Sequence, residues 1–130
     1  MEIGIKNVIE IKVTKENTAA ALGSGTLSVF ATPAMIALIE QTAWKSVEPY
    51  LDEGQGTVGT KLDISHLSPT PVGMTVKCET ELTGIDGRCL RFEANVYDET
   101  GLIGKGVHER FIISSDKFQI KADSKLISRD

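Results

Sequence analysis

The sequence predicts an α+β fold, one long helix set against antiparallel strands, and three observations carry that expectation. From Pro33 to Leu51 no residue breaks a helix until Pro49, and apolar residues recur at helical spacing. After the loop Asp52, Glu53, Gly54, Gln55 and Gly56 the period changes from 3.6 to 2, and it stays at 2 as far as Ile113. Asp86-Gly87 and the run Glu99, Thr100, Gly101 are turn signals that join the later strands as hairpins.

The elements follow in order. Val8 to Thr14 alternates as a first strand, and Glu16 to Leu22 suits a short helical turn capped by Thr14 or Asn17. Gly23, Ser24 and Gly25 break the chain, and Thr26 to Ala31 leads extended into Thr32-Pro33. Thr32 fits the helix N-cap and Pro33 the first helical position. In the next strand Val58, Thr60, Leu62, Ile64 and His66 share one face, with Gly59, Lys61, Asp63 and Ser65 on the other. Val76, Cys78, Thr80 and Leu82 point inward after it, then Leu90, Phe92, Ala94 and Val96. The last strand is expected to turn Ile103, Val107, Phe111 and Ile113 to the core and His108 to the opposite side. Gly104 and Gly106 inside this strand mark a bulge or a close backbone approach.

One helix lying on one face of a curved sheet of about five strands leaves two open edges, so a homodimer that covers one of them is expected. With 130 residues, 41% of them hydrophobic, the chain suits a single domain over residues 1–130, the stretch 114–130 being a polar, loosely ordered tail. A net charge of -4 and no basic run argue against nucleic acid or a membrane as partner. The amino terminus lacks a signal-peptide layout, which places the protein in the cytoplasm. Cys78 and Cys89 are too few and too far apart for a CxxC site, and Cys89 is out of phase with Leu90 and Phe92. Dinucleotide, P-loop, GxSxG, HExxH and metal-cluster patterns are all missing.

The residue that stands out is Glu40. Pro33, Ile36, Ala37, Ala43, Trp44, Val47 and Leu51 fall on its side of the helix, and all are apolar. A carboxylate there needs a partner or a proton, whether it serves chemistry or is only a core Glu held by amides or an Arg. His66 projects from the apolar side of the following strand, and Thr32 lies two turns before Glu40. Taken singly, Thr32 reads as a cap and His66 as a satisfied core histidine. Two ionisable groups on inward faces suggest a general acid/base pair of the kind ester or thioester cleavage uses.

Several runs resemble one family. They are Val29 to Glu40, Gly56 to Thr60, Ile64-Ser65-His66, Thr70 to Met74 and Gly106 to Arg110, and together they are similar to the hot-dog thioesterases of the fluoroacetyl-CoA thioesterase type. The resemblance implies a homodimer of hot-dog folds that cleaves a short or small acyl-CoA thioester, with no cofactor beyond the CoA of the substrate. It implies a catalytic set of Thr32, Glu40 and His66, Gly59 near the thioester carbonyl, and substrate or CoA contacts from Val29, Phe30 and Arg110. One departure stands beside it: Gly23 to Ser28 holds no aromatic residue, where the fluoroacetyl-specific enzyme looks to have an aromatic lid. Two other functions fit the same pattern, a non-hydrolytic acyl-CoA binding module and a hot-dog hydroxyacyl-thioester dehydratase.

Overall fold

The computed structural model describes residues 1–128. Strand β1 spans Lys6–Lys12, and a 3₁₀ turn at Lys15–Asn17 and helix α1 (Ala19–Leu22) follow it. Asn17 Oδ1 accepts the Thr14 N–H at 2.9 Å, and the Thr18 hydroxyl caps α1 by accepting from Ala21 N at 3.2 Å. The long helix α2 covers Thr32–Val47 and ends in a 3₁₀ turn, Glu48–Tyr50. Strands β2 (Gln55–His66), β3 (Thr75–Asp86), β4 (Cys89–Asp98) and β5 (Gly101–Ser114) complete one antiparallel sheet in the order β1-β3-β4-β5-β2. α2 touches all five strands, the hot-dog arrangement. No helix among the described residues is long and apolar enough to cross a membrane.

β3 and β4 behave as the alternation predicts: Val76, Cys78, Thr80 and Leu82, then Leu90, Phe92, Ala94 and Val96, are buried against α2. Burial raises the Cys78 thiol to about 11, against a smaller opposing effect of its hydrogen bond with Thr42. That thiol is therefore an inert core group at neutral pH.

Three expectations need correction. First, the buried stripe of α2 is Met35, Leu38, Ile39, Thr42, Ala43, Ser46 and Val47. Glu40 lies on its flank with 38% of its side chain exposed, next to exposed Pro33 and Ala37 and half-buried Ile36 and Trp44. The helix is apolar on two adjacent faces, one buried in the core and the other only partly covered. Second, β-bulges reset the phase of two strands. Ile103 is the extra residue where Val96 pairs with Gly104 and Tyr97 with Leu102, so Ile103 and Gly104 are both buried and the inward set after them is Gly106, His108 and Arg110. His108 is fully buried while Phe111 is 40% exposed, the reverse of the expected order. Thr60 is the extra residue of β2, which turns Thr57 and Gly59 inward opposite Ile112 and Arg110, and leaves Val58 across from outward Phe111. Third, the chain after Ser114 forms helices α3 (Ser115–Asp123) and α4 (Lys125–Ser128), not a loose tail, and the side chains of residues 115–127 are exposed. Residues 129 and 130 of that expected tail lie outside the described part.

Candidate active site

The candidate residues gather on α2, on the edge strand β2 and on its neighbour β5, in two clusters. At the N-terminal end of α2, Thr32 Oγ1 lies 2.7 Å from His66 Nδ1 at the far end of β2. Thr32 is not the cap. Ala31 occupies that position, Thr32 is the first helical residue and Pro33 the second, which frees the Thr32 hydroxyl for the imidazole. His66 Nε2 is buried with no hydrogen-bond partner among the described residues. Desolvation lowers the His66 pKa below its ordinary value, and the Ser68 backbone opposes this in part. The ring is therefore neutral at pH 7, and one of its nitrogens is held by Thr32 while the other is uncommitted.

This pair lines an open cavity of about 320 Å³ together with Val29, Phe30, Ser24 and Ser68. Phe30 is 1% exposed and anchors the wall in the core, its N–H bonded to Thr70 O at 2.8 Å. Val29 bridges to Pro71. No aromatic side chain stands in Gly23 to Ser28, and Leu27 there is 66% exposed.

The second cluster lies beyond the middle of the helix. Glu40 Oε2 is 3.5 Å from Arg110 Nη1, and the arginine side chain is 7% exposed. Arg110 Nε donates to Thr57 Oγ1 at 2.8 Å, Nη2 to Thr57 O at 2.9 Å, and Nη1 to His108 Nε2 at 3.1 Å. Burial lowers the Arg110 pKa and Glu40 raises it again. The arginine is tied inside the protein, facing the carboxylate and not solvent. Gly59 covers this cluster: a Cβ added there would meet Glu40 Oε2 at 2.7 Å, His108 Cε1 at 3.3 Å and Arg110 Nη1 at 3.4 Å. Only glycine lets β2 approach the carboxylate this closely.

The clusters do not meet within one chain. Thr32 and Glu40 are eight residues apart on one helix, about 12 Å along its axis, and β2 runs on for roughly 20 Å from Gly59 to His66. The sequence suggested convergence because Glu40 and His66 both read as inward-facing and Thr32 lies two turns before Glu40. The rise of the helix, which a view down its axis hides, separates them. Sequence reasoning also missed His108 and Thr57, because the bulges at Ile103 and Thr60 that turn them inward carry no side-chain signature of their own.

A five-stranded antiparallel sheet around one helix, with a Thr–His pair and a Glu–Arg pair along the helix and edge strand, defines the protein as a hot-dog thioesterase-type chain. Comparison with known proteins narrows the class. The fluoroacetyl-CoA-specific thioesterase family matches residues 13–116, and the chain belongs to that family. A fluoroacetyl-CoA thioesterase of Streptantibioticus cattleyicolor is 38% identical over 97 residues, 75% of this chain and 70% of the relative. A crystal structure of the fluoroacetyl-CoA thioesterase FlK superposes with a TM-score of 0.92 at 32% identity, covering 96% of this chain and 97% of that one. A thioesterase superfamily member of Thermus thermophilus gives a TM-score of 0.88 at 28% identity over 98% and 94%.

Proposed function

We propose that this protein hydrolyses a short or small acyl-CoA thioester to the free acid and CoA, as a cytoplasmic homodimer, with no cofactor beyond the CoA of the substrate. The observation that carries the reading is the Thr32–His66 pair at 2.7 Å with the second imidazole nitrogen buried and unpartnered beside an open cavity. A neutral imidazole held at one nitrogen can take a proton from water or return one to the leaving thiolate with the other. Relatives support the substrate class: the S. cattleyicolor protein is a fluoroacetyl-CoA thioesterase, and a point mutant of FlK has been solved in complex with acetyl-CoA.

In this reading water oxygen bonds to the acyl carbon, the C–S bond breaks, and the water proton passes through His66 or Glu40 to the thiolate. Thr32 orients His66. Glu40 activates the water or attacks the carbonyl itself, Arg110 holds its carboxylate, and the Gly59 N–H stabilises the oxyanion. Val29 and Phe30 wall the acyl pocket.

Separate clusters in one chain become whole sites in a dimer. If β2 pairs antiparallel with its copy about an axis between Leu62 and Asp63, Gly59 of one chain lies opposite His66 of the other. Glu40 then faces a Thr32–His66 pair from the second chain. The apolar flank of α2 formed by Pro33, Ala37 and Trp44 borders this same edge and would be covered by the same contact. Light scattering at micromolar concentration tests the dimer, and a monomer that still turns over would remove the interface from the mechanism.

Release of free thiol from a panel of acyl-CoAs tests the activity. Hydrolysis of the smallest members is the expected result. Binding without release would indicate a binding module, and loss of water from hydroxyacyl-CoA without release would indicate a dehydratase.

A further inference from the structure

His108 has no part in the chemistry above, yet it is fully buried between the sheet and the Glu40 cluster. Its Nδ1 lies 2.8 Å from Lys61 O. A carbonyl only accepts, so Nδ1 carries the proton. Its Nε2 lies 3.1 Å from Arg110 Nη1, which only donates, so Nε2 presents its lone pair. Both nitrogens are thus committed, and the neutral Nδ1–H tautomer is the one form that satisfies both contacts.

The contacts of Arg110 rank by length. The two Thr57 bonds at 2.8 and 2.9 Å and the His108 bond at 3.1 Å are all shorter than the 3.5 Å approach to Glu40. Thr57 and His108 therefore fix the plane of the guanidinium, and the carboxylate takes the position that remains. We propose that His108 is a positioning residue: as a neutral acceptor it turns Arg110 toward Glu40, and its protonation disengages that arginine and displaces the carboxylate. The proposal rests on the reading of Glu40 as a reacting group.

Protonation would set an N–H against an N–H and a cation against a cation across 3.1 Å, an arrangement that must open. The charged groups facing the ring are Arg110 and Glu109 on its own strand and Glu40 on α2; β2 presents the Lys61 carbonyl and β4 the ring of Phe92, stacked at 6.2 Å. Burial lowers the His108 pKa most. Arg110 adds to that, and the Lys61 carbonyl, Glu40 and Glu109 oppose it. The ring stays neutral at neutral pH, and the disengagement belongs to acid conditions.

Two variants and one spectrum test this. His108→Phe keeps the ring shape but removes the acceptor, and kcat should fall roughly 10- to 100-fold with KM little changed, as for a misplaced reacting group. His108→Gln returns an oxygen acceptor that does not titrate. It should recover most of kcat and extend activity to lower pH than wild type. Nitrogen-15 spectra of the substrate-free protein should show His108 with Nδ1 protonated and Nε2 bare at pH 7. Wild-type kcat in the Phe variant, an unchanged acid limb in the Gln variant, or a spectrum showing Nε2–H each overturns the proposal. If the Phe variant does not fold, the Gln profile and the spectrum decide. A wild type that cleaves no thioester overturns the proposed function instead, and the spectrum still decides the tautomer.

Discussion

The two ends of β2 carry the same kinds of side chain and treat them oppositely. At one end Thr32 and His66 share a single hydrogen bond beside an open cavity, and one imidazole nitrogen is left over. At the other, Arg110 and His108 have their polar atoms bonded inside the protein, and Glu40, the exposed member, rests on them. The first end leaves an imidazole nitrogen uncommitted; the second sets a carboxylate against a guanidinium whose other bonds are fixed. Two half-sites with complementary deficits on one open edge are what an antiparallel pairing of two chains would complete.

Removing the carboxylate should have the largest effect on this contrast. Glu40→Gln is expected to lower kcat at least ~100-fold with little change in melting temperature, because the group is part-exposed and Arg110 keeps its bonds to Thr57 and His108. Unfolding of this variant would mean that the ion pair serves stability alone. Gly59→Ala attacks the same end from above: the new methyl must push Glu40 Oε2 aside, and kcat should fall roughly 10- to 100-fold in a folded protein. Steady-state kinetics beside a circular-dichroism melt would reveal a wild-type rate and so discard the close approach. At the other end, Thr32→Ser keeps the hydroxyl and should stay active, whereas Thr32→Val should lose roughly 10-fold or more in kcat. Equal rates for the two would show that the 2.7 Å bond is idle.

A smaller effect appears in stability. His66 and His108 both have lowered pKa values in the fold, chiefly from burial, while the unfolded chain protonates them below about pH 6.5. The unfolded state then binds more protons, so their contribution is lost as pH falls through this region and is unaffected above it. Thermal unfolding followed down to about pH 5 should show the decline, and His66→Gln with His108→Gln should flatten it. The smallest effect concerns selectivity. Without an aromatic in Gly23 to Ser28, kcat/KM for fluoroacetyl-CoA over acetyl-CoA should exceed the ratio of their hydroxide-catalysed rates by little, well within the roughly 200-fold limit of one-group discrimination. A ratio orders of magnitude larger would reveal a fluorine-reading element elsewhere.

What the sequence disclosed follows a physical boundary. β3 as far as Leu82 and all the inward positions of β4 were legible because each residue there opposes one partner, so parity carries along the strand. Parity fails at a bulge, and the two that reset the site, at Thr60 and Ile103, have no side-chain signature of their own. Hence Gly59 was placed on the wrong face and His108 was read as exposed, although Gly104 and Gly106 did mark close approaches, to Met35 and to the Asp63 backbone. Glu40 was found through its apolar neighbours, yet of these only Ala43 and Val47 belong to the core stripe of α2, while Pro33, Ile36, Ala37 and Trp44 form its flank. Pro33 and Ala37 on that flank are apolar and exposed, a pattern that one chain's sequence cannot assign to a second copy.

The central claim, that each working site takes Thr32 and His66 from one chain and Glu40 and Gly59 from the other, is tested most directly by mixing two inactive proteins. His66→Ala and Glu40→Gln chains, unfolded together and refolded as mixed dimers, should regain about a quarter of wild-type activity, since half the dimers are mixed and each holds one intact site. If each site lies within a single chain, every site in every mixed dimer carries a lesion, and the mixture would stay as inactive as its components.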